Sequence, residues 1–576
     1  MTALKTCFVR AIWYNALPVT LPASKLAANF KLTANFASTN INNLKINRLQ
    51  TMRLAPIVAA VLFFFSGCSA DDKDDVSATI EVRGTVTSDI GQLLAGVLVK
   101  SAQDSTFTDD KGKYSLRSYP RGSIEYSKLG YVTYIEPVEE QKTIDVTLKR
   151  ILDGSATRFE EKLVPLHCGD DTAAVAQVIE IMDFGQGTGT MTWTKNKVWL
   201  LKNSVFVNEG QTLTIEPGTI VKGASGSPDS TGALVVAKGG SLIAEGTPEM
   251  PILFTAEQDS IVRDTNGVVC NQGGLSSGEK GLWRGIILLG KATLADGQPR
   301  KAGGFPDFET RAGFGGNDDR HQAAKLRHVA IRHAGKQAAG LTLAGIGTGT
   351  VLEHIEVSAS GHAGYRFVGG AVSTKHLAAL HNNGDAFVAE SGWHGLNQFW
   401  FAVGNGGAAL AGKSSPDSSG QWLPGPVIAN ATFIGQGGPS MAAVQTQDSS
   451  TFLNCVFVKY AFIVAAMPDP DTVAEVEKHQ DRLPFFFHNI FHLSAVNDGV
   501  PPNGEAADAP PATGSYPPDG LNGNRYVHPG LNVRFVPMEG SPAAMGGPNP
   551  SGAFFENAPF RGCFGPGKTP WIMDND

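Results

Sequence analysis

A run of ionisable residues between positions 353 and 394 offers the chain's clearest material for chemistry: Glu353, Glu356, His362, Arg366, His381, Asp385, Glu390 and His394. Two carboxylates flanking a glycosidic bond can cleave it, one as general acid and the other as base or nucleophile. Glu356 and Asp385 are the acids suited to that pairing, with Arg366 or His381 as base or anion clamp. An acid-bound calcium ion beside a basic residue would instead support proton abstraction, as in a lyase. Calcium is therefore the one cofactor these residues suggest, and none is required. Trp393, Trp400 and Trp422 offer faces on which sugar rings stack. Against catalysis, Glu353 and Glu356 alternate with strand residues and fit a solvated face, so a binding or structural role outweighs an enzymatic one. No GxSxG elbow, P-loop, Rossmann fingerprint, HExxH or CxxC is present, so no metal site is expected from motifs.

A short phrase recurs around these residues, with a polar residue between apolar ones. It centres on His328, His354, His376, Gln398, Asn430, Asn454 and Asn489, at intervals of 26, 22, 22, 32, 24 and 35 residues. The two long intervals contain insertions at 414–426 and 468–482. A period of 22 to 26 is one coil of a right-handed parallel β-helix, with about three short strands per coil. Equivalent side chains stack from coil to coil, so the central polar residues form a structural ladder at one turn. For the three histidines that role outweighs catalysis. Gly accounts for 67 of 576 residues, without a period of three, which suits a solenoid of tight turns and excludes collagen.

Charge is distributed unevenly. Residues 1–67 hold seven Lys and Arg and no acid; the remaining 40 Lys and Arg face all 54 acids, leaving −14 after Gly67. Such a surface disfavours nucleic-acid binding. Met52-Arg53 opens a signal segment whose apolar run, Leu54 to Phe65, is shorter than the roughly 20 residues a membrane span needs. Phe65-Ser66-Gly67-Cys68 resembles the bacterial lipobox, which implies lipidation of Cys68 and membrane attachment through that lipid. Translation is then expected to start at Met52, with residues 1–51 a mis-assigned or disordered leader. The acidic tether after Cys68 resembles the export signal of Bacteroidota lipoproteins, which implies the outer membrane and its outer face. Cys168, Cys270, Cys455 and Cys563 allow three disulfide pairings.

Residues 78–150 read as short alternating strands, and Thr108-Asp109-Asp110-Lys111-Gly112-Lys113-Tyr114-Ser115-Leu116 is a turn entering a strand. This order resembles the carboxypeptidase regulatory-like domain, a seven-strand prealbumin-type sandwich used as a spacer. From 195 to about 570 the chain resembles a family of Bacteroidota envelope lipoproteins with a β-helix. The likeness rests on phrases such as Gly340-Leu341-Thr342-Leu343-Ala344-Gly345-Ile346-Gly347 and Phe560-Arg561-Gly562-Cys563-Phe564-Gly565-Pro566-Gly567. It implies architecture and no activity. Where relatives carry paired Asp before a FxxGG phrase, this chain has His362-Ala363, so a cation held by those acids is not expected here.

The expected order is leader 1–51, signal peptide 52–67, tether 68–77, sandwich 78–150, linker and cap 151–194, β-helix 195–495 and loop-rich cap 496–576. The expected protein is an all-β, lipid-anchored envelope protein with a structural or binding role, towards glycans or surface partners. The alternative is a polysaccharide lyase or glycoside hydrolase with an acidic groove on the β-helix.

Overall fold

Every regular element is a β-strand except two 3-10 turns, Thr310–Ala312 and Leu521–Gly523, among the described residues. The computed structural model describes residues 79–573, leaving aside 150–155, 167–174, 465–483, 493–520 and shorter internal breaks. The leader, the signal segment, Cys68, the tether, Cys168 and Trp422 lie outside the described residues.

The first seven strands form two facing sheets. Ile80–Ser88 sits between Lys113–Ser118 and Val146–Leu148; the second sheet runs Ser105–Phe107, Leu98–Lys100, Ser123–Ser127 and Tyr134–Pro137. Lys113–Ser118 alternates strictly between exposed and buried residues, which lets Tyr114 and Leu116 join Val82, Val86, Val99 and Ile124 in the core. Two buried tyrosines satisfy each other, with Tyr114 and Tyr126 hydroxyls 2.6 Å apart and Tyr114 donating to Ile144 O. The Asp109 carboxylate accepts from the Lys111 and Lys113 amides, closing the turn that the sequence marks.

The parallel stack begins at Val175–Met182, earlier than 195. That strand pairs parallel with Val198–Leu201 on one edge and antiparallel with Arg158–Pro165 on the other. From there a 19-stranded sheet and a nine-stranded sheet share the coils. The larger sheet covers two faces, because its long strands fold through a corner. In Ala324–Arg332, the half before His328 pairs with Ser241–Glu245 and the half after it with Ile252–Ala256. Arg158–Pro165 is exposed along its whole length, and as an antiparallel strand it closes one end of the stack.

A left-handed residue makes the corner. His328, His354, His376, Phe399, Asn430, Asn454 and His488 have φ between 47° and 61°. The register stacks them, since Lys375 pairs with Gln398 and Leu377 with Trp400, which sets His376 opposite Phe399. Two expected ladder residues are thus displaced by one. Gln398 precedes the corner, and Asn489 follows it and points inward, where its Oδ1 accepts from the Cys455 amide. Neither phenylalanine nor histidine advertises positive φ as glycine does, and the neighbouring amide side chain draws attention away from them.

A second corner lies five residues on, at His333, Ala359, His381 and Gly404. Inside it runs a ladder that the repeat phrase does not show: Ser360 N donates to Asn382 Oδ1, Asn382 N and Nδ2 donate to Asn405 Oδ1, and Asn405 Nδ2 donates to Ala379 O. Between the faces an aromatic column fills the core, with Phe367 3.9 Å from Trp393 and Phe387 3.9 Å from Trp400. Cys270 is disulfide-bonded, whereas Cys455 and Cys563 are buried free thiols. Asn405→Ala should orphan the Asn382 amide N–H and leave its Nδ2 with Val357 O alone, at about 1–3 kcal/mol for the group left unpaired. The expected result is a clear drop in thermal midpoint; a midpoint unchanged from wild type would deny the ladder its role.

Candidate functional site

The residues expected to form an acidic active site do not assemble into one. Glu356 is fully buried, with Oε2 accepting from the Met573 amide at 2.9 Å and Oε1 4.0 Å from Arg332. The Asp385 carboxylate accepts from the Ala408 amide at 2.7 Å within a turn, and burial raises its pKa. Arg366 belongs to Tyr365–Gly370 of the nine-stranded sheet, where it holds Glu390 at 2.7 Å. His362 and His394 each bond a backbone carbonyl through Nδ1. Only His381 reaches an open groove. Trp393 and Trp400 are also misread as sugar platforms. Both are core residues whose indole N–H groups bond Val372 O and Thr374 Oγ1, so no ligand ring reaches them.

The groove has a volume of about 560 Å³ and lies along the second corner. Outward side chains of four successive coils line it: Arg332 and His333, Ser358 and Ala359, Leu380 and His381, Phe401 and Val403. Alternation along each strand explains the set, because Ile331, Val357, Ala379 and Ala402 point into the core instead. Arg534 and Phe535 close one wall, Leu275 to Ser277 another, and Thr569, Pro570 and Ile572 of the C-terminal segment a third. His333 Nδ1 is 2.6 Å from Glu279 O, so that nitrogen carries the proton and donates, which fixes the ring. No Asp or Glu lines the groove among the described residues. Phe401 and His333 are buried in its floor, so the chemistry it exposes is that of Arg534, His381 and part of Arg332 beside the half-buried Phe535 ring, a set that can accept anions.

The C-terminal segment reaches the first corner as well. Glu556 exchanges two hydrogen bonds with the Gln398 side chain, Asn430 Nδ2 donates to Phe560 O, and Asn454 Nδ2 donates to Pro548 O. The corner amides thus serve as docking points for a strap rather than as a ladder bonded only along itself. Further up the column the rings stack face to face, His328 on His354 at 4.5 Å, His354 on His376 at 4.1 Å and His376 on Phe399 at 4.8 Å. Trp571 stands edge-on to His354 and His376. Burial lowers the pKa of all three imidazoles, that of His376 to about 3, which keeps them neutral at physiological pH. Glu353, His354 and His376 bring three ligand-type atoms within 4.8 Å of one another.

Arg332, His333, Arg534, Phe401 and Phe535 are the groove residues that motif reading passes over. Part of the signal is nonetheless present, since a second histidine follows five positions after both His328 and His376. Asp385→Asn tests the reassignment of an expected catalytic acid. The folded state holds that carboxyl's pKa up, so the cost of ionising it grows as pH rises past the ordinary carboxylate range. Asparagine keeps the bond to Ala408 without the charge. The variant should melt no lower than wild type at pH 7, lose that advantage in acid and keep any groove ligand; loss of the ligand from a folded variant would restore Asp385 to the site.

Residues 185–476 match the model of the pectate-lyase like beta helix domain. A stretch of 108 residues is 33% identical to the TonB-dependent receptor P39 of Formosa agariphila, covering 18% of this chain and 10% of the receptor. The chain therefore spans about a tenth of that relative's length. No solved structure matches. With half of its length in that match and its coils stacked in parallel register, the chain belongs to the family of pectate-lyase like beta helix domains.

Proposed function

We propose that this chain is a lipid-anchored envelope protein that binds an acidic polysaccharide along the second corner of its β-helix. One observation carries the reading: a groove that exposes Arg534 and His381 beside Arg332 and the half-buried Phe535, and is free of carboxylates among its described residues. Guanidinium forks pair with carboxylate or sulfate groups, and the half-buried Phe535 ring offers an edge of apolar surface to a sugar. The family's likeness to pectate lyases supports a polyuronate as the ligand class. The sandwich, read as a carboxypeptidase regulatory-like spacer, sets the β-helix away from a membrane held through Cys68, and the outer face of the outer membrane is the compartment this arrangement serves.

Hydrolysis by paired carboxylates has no support in this groove, because Glu356 lies beneath the C-terminal segment and the lining offers no second acid. A lyase is the surviving catalytic reading. It needs a base and a cation beside a uronate, and His381 with Arg332 or Arg534 supplies those residue types.

The full chain should bind polygalacturonate in a salt-sensitive manner and leave dextran unbound. Arg534→Ala should remove a charged hydrogen bond of about 1.5–3 kcal/mol, which corresponds to a loss of about ten- to a hundredfold in affinity by calorimetry. Equal binding of the neutral glucan, or an unchanged Arg534→Ala variant, would sink the proposal; unsaturated uronate products would convert it into the lyase. Separately, Cys68→Ser should move the protein from the membrane to the soluble fraction, and unchanged detergent partitioning would refute the anchor.

A further inference from the structure

We infer that Glu353, His354 and His376 form a binding site for a divalent transition-metal ion, on the first corner and outside the groove. The two histidines sit one coil apart, so no local motif announces them. Stacking places their Nδ1 atoms on one side of the column, facing the same carboxylate. Glu353 Oε1 is 3.8 Å from His354 Nδ1 and 3.9 Å from His376 Nδ1. These separations exceed a hydrogen bond and leave a gap between three donors. The buried Nδ1 of His376 has no hydrogen-bond partner. A buried polar atom left in that state is costly and calls for a reason.

The corner itself does not require histidine. Phe399, Asn430 and Asn454 hold the same left-handed backbone in the same column, so two imidazoles beside a carboxylate are a feature additional to the turn. The carboxylate is also oriented. Arg327 Nε donates to Glu353 Oε2 at 3.2 Å, which turns Oε1 toward the rings, and Arg327 is itself held by Glu245 at 2.9 Å. The other nearby cation, Lys375, is engaged by Glu556 at 2.8 Å. The neighbouring positive charges therefore have acids of their own.

Two nitrogens and one oxygen are the donor set of zinc and its first-row neighbours, whereas calcium takes six to eight oxygens. Zinc bonds of about 2.0–2.2 Å set ligand atoms roughly 3.3–3.5 Å apart in a tetrahedron. Closing on the ion asks Glu353 to advance by about half an ångström and the two stacked imidazoles, in a cluster whose ligand atoms lie within 4.8 Å of one another, to tilt together by up to about 1.5 Å. Three protein ligands leave a fourth position for water or another donor.

The test is calorimetric titration of the metal-free full chain with Zn²⁺, beside Glu353→Gln and His376→Asn. Asparagine suits the left-handed corner, as at Asn430 and Asn454, so the second variant keeps the backbone. Wild type should bind one ion saturably and ignore Ca²⁺, and each variant should bind about ten- to a hundredfold more weakly while melting as a folded protein. Co²⁺ should give visible absorption bands that both variants lose. Absence of saturable Zn²⁺ binding to wild type, or equal affinity and unchanged Co²⁺ bands in the variants, would overturn the site.

Discussion

The requirement that the chain turn a corner at the same place in every coil governs much of this structure. An L-residue in the left-handed conformation gives up about 1–2 kcal/mol relative to an ordinary helix-region backbone. Here that cost recurs from His328 to His488 at one corner and from His333 to Lys459 at the other. It is tolerated because each corner redirects a strand so that both halves extend the parallel sheet, as Ala324–Arg332 does with two different partners. Parallel strands buried on one face repay the strain through continuous hydrogen bonding and apolar stacking, and the residues that tolerate positive φ become the places where polar or aromatic side chains stand in columns.

Both proposed functional regions follow from those columns. The second corner brings His333 and His381 to the rim of the groove, and its inner amides in Asn382 and Asn405 keep the rim fixed. The first corner gathers the imidazoles and, lower down, the amides that hold residues 548–560 of the C-terminal segment. The same segment then supplies Trp571 to the histidine column, Met573 to Glu356 and Thr569 to Ile572 to the groove wall. One strap therefore ties the two corners together.

The period was legible because it is written in residue types. Apolar alternation with a polar centre every 22 to 26 residues leaves a parallel solenoid as the economical fold, and the sandwich turn at Asp109 is a local signal. What could not be read was which residue takes the corner when two candidates adjoin. Gln398-Phe399 and His488-Asn489 present an amide beside the true occupant, and only stacking against His376 selects the phenyl ring. Burial of Trp393 and Trp400 depends on a face assignment that shifts with each inserted residue. Glu356 is close to Asp385 in sequence but is enclosed by Met573, 217 positions away, and no local pattern encodes so distant a contact.

A cationic groove on a chain with a net charge of −7 needs an electrostatic account. Net charge acts at a distance that salt limits to about 8–10 Å, so the groove responds mainly to its own lining. Many acids near the coils are already engaged: Glu390 by Arg366, Glu245 and Glu353 by Arg327, and Glu556 by Lys375. Glu356, enclosed by Met573, accepts a backbone amide with one oxygen and lies 4.0 Å from Arg332, so that groove guanidinium already faces an acid. Arg534 is exposed, and its charge is therefore open to a ligand. Pairing the acids along the strands and leaving the groove lined by Arg, His and Phe separates an acidic surface from the seat proposed for a polyanion. Under that proposal, a ligand with several anionic groups suits the seat better than one with a single charge, because Arg534 and His381 are separate contact points.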